Sequence, residues 1–340
     1  MLKFKKIGLS LMAASLALLT ACSASNPPAS GEPGEPKESA EETKKVSIML
    51  DWYPNAVHSF LYAGQEQGFF KEQGLELDIK MPAETNDPLK LVSTGEVDFA
   101  LSYQPQVVMA RAQQIPVVSV SAIVRHPLNA IMVPAESGIS APKDLAGKSV
   151  GYPAIPMNEA VVKTMVTADG GDAGQVELID VGWDLMPAIS TKKVDAISGG
   201  YINHEKVLLE KEGIAMNAFS PVDFGVPDYY ELVLVTSEKT AKENPELIKQ
   251  FTAAVNKGFD YVKANPKEGL DILLSQANQS YPLDAEVEAK SLEILLPLMS
   301  SESEAFGSQT AASWEAIIQW MKETKLIEND VKADESFITP

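Results

Sequence analysis

The chain has 340 residues, a formal net charge of −19 and 45% hydrophobic content, with three histidines and one cysteine. So acidic a balance argues against nucleic acid or an anionic membrane surface as partner. A lone cysteine leaves no disulfide frame, and His58, His126 and His204 are scattered singly, so no metal-ligand spacing appears.

At the start, Lys3, Lys5 and Lys6 precede an apolar stretch from Ile7 to Leu19, too short to span a bilayer permanently. It closes on Leu19-Thr20-Ala21-Cys22, which resembles a bacterial lipoprotein signal. The resemblance implies a signal peptide over 1–21 and lipid on Cys22; an ordinary secretory signal with an incidental cysteine is the alternative. Residues 22–45 are rich in Pro, Gly, Ser and Glu and almost free of aliphatic and aromatic side chains. They cannot offset their chain entropy by burial and read as a disordered tether. Lipid followed by tether places the rest of the chain at the outer face of the cell membrane.

Beyond the tether, short β-branched runs alternate with amphipathic segments. The runs are VSIML (46–50), LELDIKM (75–81), VDFALSY (97–103), IPVVSVSAIV (115–124), AIMVPA (130–135), SVGYP (149–153), VELIDVG (176–182), VDAISGG (194–200) and YELVLVTS (230–237). Between them, helical patterns such as HSFLYAGQEQGFFKEQG and EAVVKTMVTADGG close on Gly74 and on Gly170-Gly171. From Pro245 onward the pattern is helical almost throughout. This order predicts an α/β protein with parallel sheets covered by helices.

Aromatic and polar residues gather just after the strand ends: Asp51-Trp52-Tyr53, Ser102-Tyr103-Gln104, Tyr152-Pro153 and Gly199-Gly200-Tyr201. In open α/β sheets that is where a small molecule binds. Neither a GxxxxGK[ST] nor a GxGxxG motif is present, so neither nucleotide hydrolysis nor a dinucleotide cofactor is expected.

The segments LDWYPNAVHSFLYAGQEQGFFKEQGLELDI, DPLKLVSTGEVDFALSY and DLAGKSVGY resemble the thiamin-pyrimidine family of periplasmic-type binding proteins. More broadly they resemble the binding components of ABC importers for sulfonates, nitrate and riboflavin. The resemblance covers roughly residues 46–325. It implies a type II periplasmic-binding fold, two α/β lobes closing on a ligand: lobe one over 46–133 plus 233–340, lobe two over 134–232. It also implies an ABC permease as partner, and the chain is expected to be a monomer. One branch of the family, the fungal pyrimidine synthases, is enzymatic and holds pyridoxal phosphate on a lysine. Where that branch has its lysine and a histidine, this chain has Ser102 and Gln106, so no cofactor and no catalysis are expected.

Candidate ligand contacts carry competing readings. Trp52 and Tyr103 suit an aromatic slot, although Trp52 could instead cap the core. Asp51 and Asn55 offer polar edges, and Asn55 could equally be a helix N-cap. His58 contacts ligand or packs in the helix. Glu159, in the first turn after GYPAIP, faces the cleft or answers the helix dipole. Tyr201 is a second stacking residue, and Glu205 a cleft carboxylate or a surface charge. In PDYYE, Tyr229 and Tyr230 should point to opposite sides, and Tyr230 is the one assigned to the cleft. Aromatic walls with a carboxylate suit a 4-aminopyrimidine, with formylaminopyrimidine first, riboflavin or another flat heterocycle as alternative, and a pyrimidine-precursor synthase as the enzymatic one. Trp314 and Trp320 read as core.

Overall fold

The computed structural model describes residues 43–83, 87–153, 155–182, 184–278 and 281–340. The signal peptide, Cys22 and most of the expected tether lie outside the described residues. The end of the tether does not: Lys44 and Lys45 already belong to the first strand, paired with Leu75 and Glu76.

In chain order the strands are β1 (Lys44–Met49), β2 (Leu75–Lys80), β3 (Phe99–Ser102), β4 (Val117–Val124), β5 (Asn129–Pro134), β6 (Ser149–Tyr152), β7 (Glu177–Asp180), β8 (Ala196–Tyr201), β9 (Met216–Phe219) and β10 (Leu232–Ser237). They form two five-stranded sheets, β2-β1-β3-β10-β4 and β7-β6-β8-β5-β9. Nine of these strands coincide with the apolar runs. The other, β9, is four residues long, pairs only with β5 at a sheet edge and has no alternating pattern to announce it.

The sheets are mixed, which corrects the expectation of parallel ones. Strands β1, β2 and β3 run parallel, as do β6, β7 and β8. Strand β10 is antiparallel to β3 and β4, and β5 is antiparallel to β8 and β9. The two exceptions have one cause. The chain leaves the first sheet after β4, enters the second at β5 and re-enters the first at β10. Each sheet therefore holds one strand that arrives from the other sheet and runs against its neighbours. The expected division at 133/134 falls inside β5, all of which pairs in the second sheet.

Helices cover both sheets. The helical pattern after Asn55 breaks into a 3-10 turn (Ala56–His58) and helices Ser59–Glu66 and Phe69–Glu72, because Gly68 adopts the left-handed conformation at φ 78°. Helix Ser59–Glu66 crosses helix Pro245–Ala264 very closely: a Cβ on Gly258 would lie 2.2 Å from the Phe60 carbonyl oxygen. Phe251 of the longer helix stacks on Phe99 of β3 at 4.0 Å, tying helix to sheet. Trp314 and Trp320, in helix Ala311–Glu323, are buried in the core.

Candidate ligand-binding cleft

A cleft of about 490 Å³ is lined by the carboxyl-terminal tips of β1, β3, β6 and β8 and by the two segments that cross between the sheets. The loop at Tyr281–Leu283 and Glu288 of helix Ala285–Met299 complete the wall. Asp51, Glu205, Glu231 and Glu288 line it, and among the described residues no lysine or arginine does.

The tip of β1 is organised around a buried carboxylate. Asp51 Oδ2 accepts from the Tyr103 hydroxyl at 2.7 Å, and Oδ1 lies 2.9 Å from His58 Nε2. The Asn55 backbone N–H donates to His58 Nδ1 at 3.1 Å, so the imidazole proton sits on Nε2 and is given to Asp51. Burial pushes the Asp51 carboxyl up, but the hydrogen bonds from His58 and Tyr103 together outweigh it and hold the group below its usual range. Burial, and then the adjacent Asp51 charge, raise the Tyr103 phenol well above its ordinary value.

A second carboxylate sits where the chain crosses between sheets. Glu231 Oε2 accepts from the backbone N–H of Leu128 (2.8 Å) and Asn129 (3.3 Å), and Oε1 from the Tyr201 hydroxyl (2.9 Å). The Tyr229 hydroxyl lies 3.4 Å from Oε2. Here burial wins, and the carboxyl is raised despite those bonds. Nearby, Glu205 Oε2 accepts from the Tyr201 N–H at 2.7 Å and Oε1 meets His204 Nδ1 at 2.8 Å. Burial raises Glu205, but the hydrogen bond and charge of His204 outweigh it and the carboxyl stays low. Gly199 shapes this tip: at φ 100° its missing Cβ would meet Pro153 at 2.9 Å and Asn158 at 3.0 Å.

Of the residues expected from sequence, Asp51, Trp52, Asn55, Tyr103, Tyr201 and Glu205 line this one cleft. Trp52 is partly exposed and meets Tyr53 edge-on at 5.8 Å. Asn55 is also the N-cap of the 3-10 turn, its Oδ1 accepting from Val57 N at 3.0 Å. Three residues lie elsewhere. His58 is fully buried behind Asp51 and off the cleft wall. Glu159 pairs with Lys163 one turn along its helix, away from the lining. Tyr230 is the packed member of its pair: its ring lies under Arg125 and its hydroxyl accepts from Thr310 N at 3.0 Å. Tyr229 takes the cleft side instead. The alternation was sound but its phase was not legible, since nothing local says which face of that extended segment meets the cleft.

Glu231, Glu288, Asn129 and Asn203 were not anticipated. Glu231 alone had a sequence signal, as the acid beside PDYY at the point where the chain returns to the first sheet.

Fold and cleft together define a two-lobe binding protein for small molecules. The chain belongs to the family described as NMT1/THI5 like, matched over residues 55–269. It is 46% identical to the formylaminopyrimidine-binding protein of Halalkalibacterium halodurans, over 87% of this chain and 90% of that one. It is 28% identical to a 4-amino-5-hydroxymethyl-2-methylpyrimidine phosphate synthase of Legionella pneumophila, over 67% and 72% of the two chains. Among solved structures it resembles the periplasmic aliphatic sulphonate binding protein SsuA of Escherichia coli, with a TM-score of 0.69, 14% identity and coverage of 87% and 92%.

Proposed function

We propose that the protein is the receptor of an ABC importer and captures formylaminopyrimidine, a thiamin-precursor aminopyrimidine, for salvage. The observation that carries this reading is the lining of the cleft. Trp52, Tyr103, Tyr201 and Tyr229 surround four carboxylates, with no lysine or arginine among the described lining residues. A flat aminopyrimidine offers two faces to aromatic walls and an amidine edge to a carboxylate, whereas a sulfonate would face uncompensated negative charge. The 46% identical relative bears that ligand in its name.

Among the carboxylates we assign the amidine edge to Glu205. Asp51, Glu231 and Glu205 each have both oxygens engaged, but Asp51 and Glu231 are buried deep in the wall. The Glu205 side chain keeps 24% of its surface accessible, against 8% for Asp51. The two sheets are read as the cores of two lobes that close on the ligand, exchanging through residues 125–128 and 220–231. Lipid on Cys22 and the following tether hold this receptor at the outer face of the membrane, as a monomer.

The role is to hold rather than convert. Ser102 Oγ lies 3.4 Å from Gln106 Oε1, at the positions where the enzymatic branch is expected to carry its lysine and histidine. Neither side chain can form an imine.

Titration calorimetry with formylaminopyrimidine, its hydroxymethyl counterpart, thiamin, riboflavin and taurine tests the reading. Formylaminopyrimidine should bind tightest, at about −8 kcal/mol or better, and be recovered unchanged after denaturation. Tightest binding of taurine, or turnover of any bound pyrimidine, would sink it. Radiolabelled palmitate should enter the protein and be lost in Cys22→Ala.

A further inference from the structure

We infer that the end of the cleft formed by Asn203, Glu288 and Ser291 is a second polar subsite, which accepts the N–H of the ligand's ring substituent. The inference rests on the aminopyrimidine reading and assigns the part of the ligand that the ring contacts leave over.

Asn203 follows the tip of β8, lines the cleft and is buried, 4% exposed. Its Nδ2 donates to Ser291 Oγ at 3.0 Å, and among the described residues its Oδ1 has no partner. A buried amide oxygen left without a donor costs free energy, so proteins seldom keep one without use. Glu288 lies one turn before Ser291 on helix Ala285–Met299, so the two share a helix face. It too is buried and lines the cleft, with Oε2 accepting from Ala56 N at 2.6 Å. Tyr281, Pro282 and Leu283 supply an apolar wall beside them.

Asn203 Oδ1 and the Glu288 carboxylate are both acceptors, and among the described residues the lining holds no lysine or arginine, with His204 as its imidazole. Asn203 Oδ1 lacks a donor, while Glu288 takes one on Oε2 from Ala56 N. An amide N–H on a short arm of a flat ring supplies one, while the apolar wall covers the arm. Asn203 follows a strand of the second sheet, and Glu288 comes from helix Ala285–Met299, which meets Ala56. The subsite therefore exists only when these two parts of the chain meet, which ties recognition of the arm to their contact. Glu288 and Ser291 also lie beyond residue 269, where the family match ends.

The test is calorimetry with two compounds on one ring: formylaminopyrimidine, and the same aminopyrimidine carrying only a methyl group in place of the formylamino arm. The full-length protein should prefer the first by about tenfold, the effect of one hydrogen bond to a buried acceptor. In Asn203→Leu the ratio should fall below about twofold, and Asn203→Asp, which keeps an acceptor, should retain it. Because the readout is a ratio within each variant, partial loss of folded protein does not mimic the result. Equal affinities in the unaltered protein, an unchanged ratio in Asn203→Leu, or loss of the ratio in Asn203→Asp would each overturn the subsite. Failure of both compounds to bind would instead count against the aminopyrimidine reading itself.

Discussion

Asp51 and Glu231 are both buried carboxylates on the same cleft, both hydrogen-bonded through each oxygen, yet their acidities move in opposite directions. Asp51 takes its bonds from an imidazole and a phenol whose own orientations are locked, the imidazole by Asn55 N–H. Glu231 takes its bonds from two backbone amides and two phenols, with no imidazole or cation among them. The lesson is that counting hydrogen bonds does not decide the charge of a buried acid. Which donors they are, set against the desolvation they must overcome, does.

The comparison can be broken most severely at Glu231. Glu231→Ala strands the N–H groups of Leu128 and Asn129 and the hydroxyls of Tyr201 and Tyr229 in a buried crossing, and should lower unfolding stability by about 3 kcal/mol. Denaturant titration measures it, and a loss under about 1 kcal/mol would mean that the crossing segments do not depend on this carboxylate. Asp51→Asn should cost about 2 kcal/mol, because the new amide turns a donor toward the His58 Nε2 proton or the Tyr103 hydroxyl. Trp52→Ala sharpens the contrast from the other side: it should weaken formylaminopyrimidine binding by about 1–2 kcal/mol through lost stacking while leaving the unfolding midpoint in place. A lower midpoint with unchanged affinity would return Trp52 to a structural role.

Single hydroxyl deletions resolve the two carboxylates further. Tyr103→Phe and Tyr201→Phe each remove one phenol donor and should each cost about 1 kcal/mol, with Tyr103→Phe the larger because its bond, 2.7 Å against 2.9 Å, is one of those that hold the Asp51 carboxyl low. The reverse order would undo the distinction between the two sites.

The smallest effect is the pH dependence. Asp51 is held below 3.8, so its contribution is complete above that value and is lost as pH falls through the lowered folded value. Glu231 is held above 4.5, so its ionisation opposes folding, and stability rises as pH falls from above the raised value toward 4.5. Glu231→Gln should flatten that rise, and Asp51→Asn should flatten the fall below 3.8. Stability profiles of the three proteins, run from above the raised Glu231 value to below 3.8, check both signs.

The sequence by itself determined nine of the ten strands, the strand-then-helix order and the placing of sticky residues just after β1, β3 and β8. These are local matters: β-branched runs, period and turn residues act over a few positions along the chain. It also offered Asn55 as a cap or a ligand contact, and read Trp314 and Trp320 as core, for the same reason. Only the tertiary structure decided that each sheet takes one antiparallel strand, that Tyr229 rather than Tyr230 meets the cleft, and that His58 acts behind Asp51. It alone brought Glu288 to Ala56 across 232 positions and Asn203 to Ser291 across 88. An extended segment shows its alternation to any reader but not which of its faces meets the cleft. A carboxylate that caps a turn two hundred residues away leaves no periodic trace, because the partner is chosen by how the helices pack and not by neighbours in the chain.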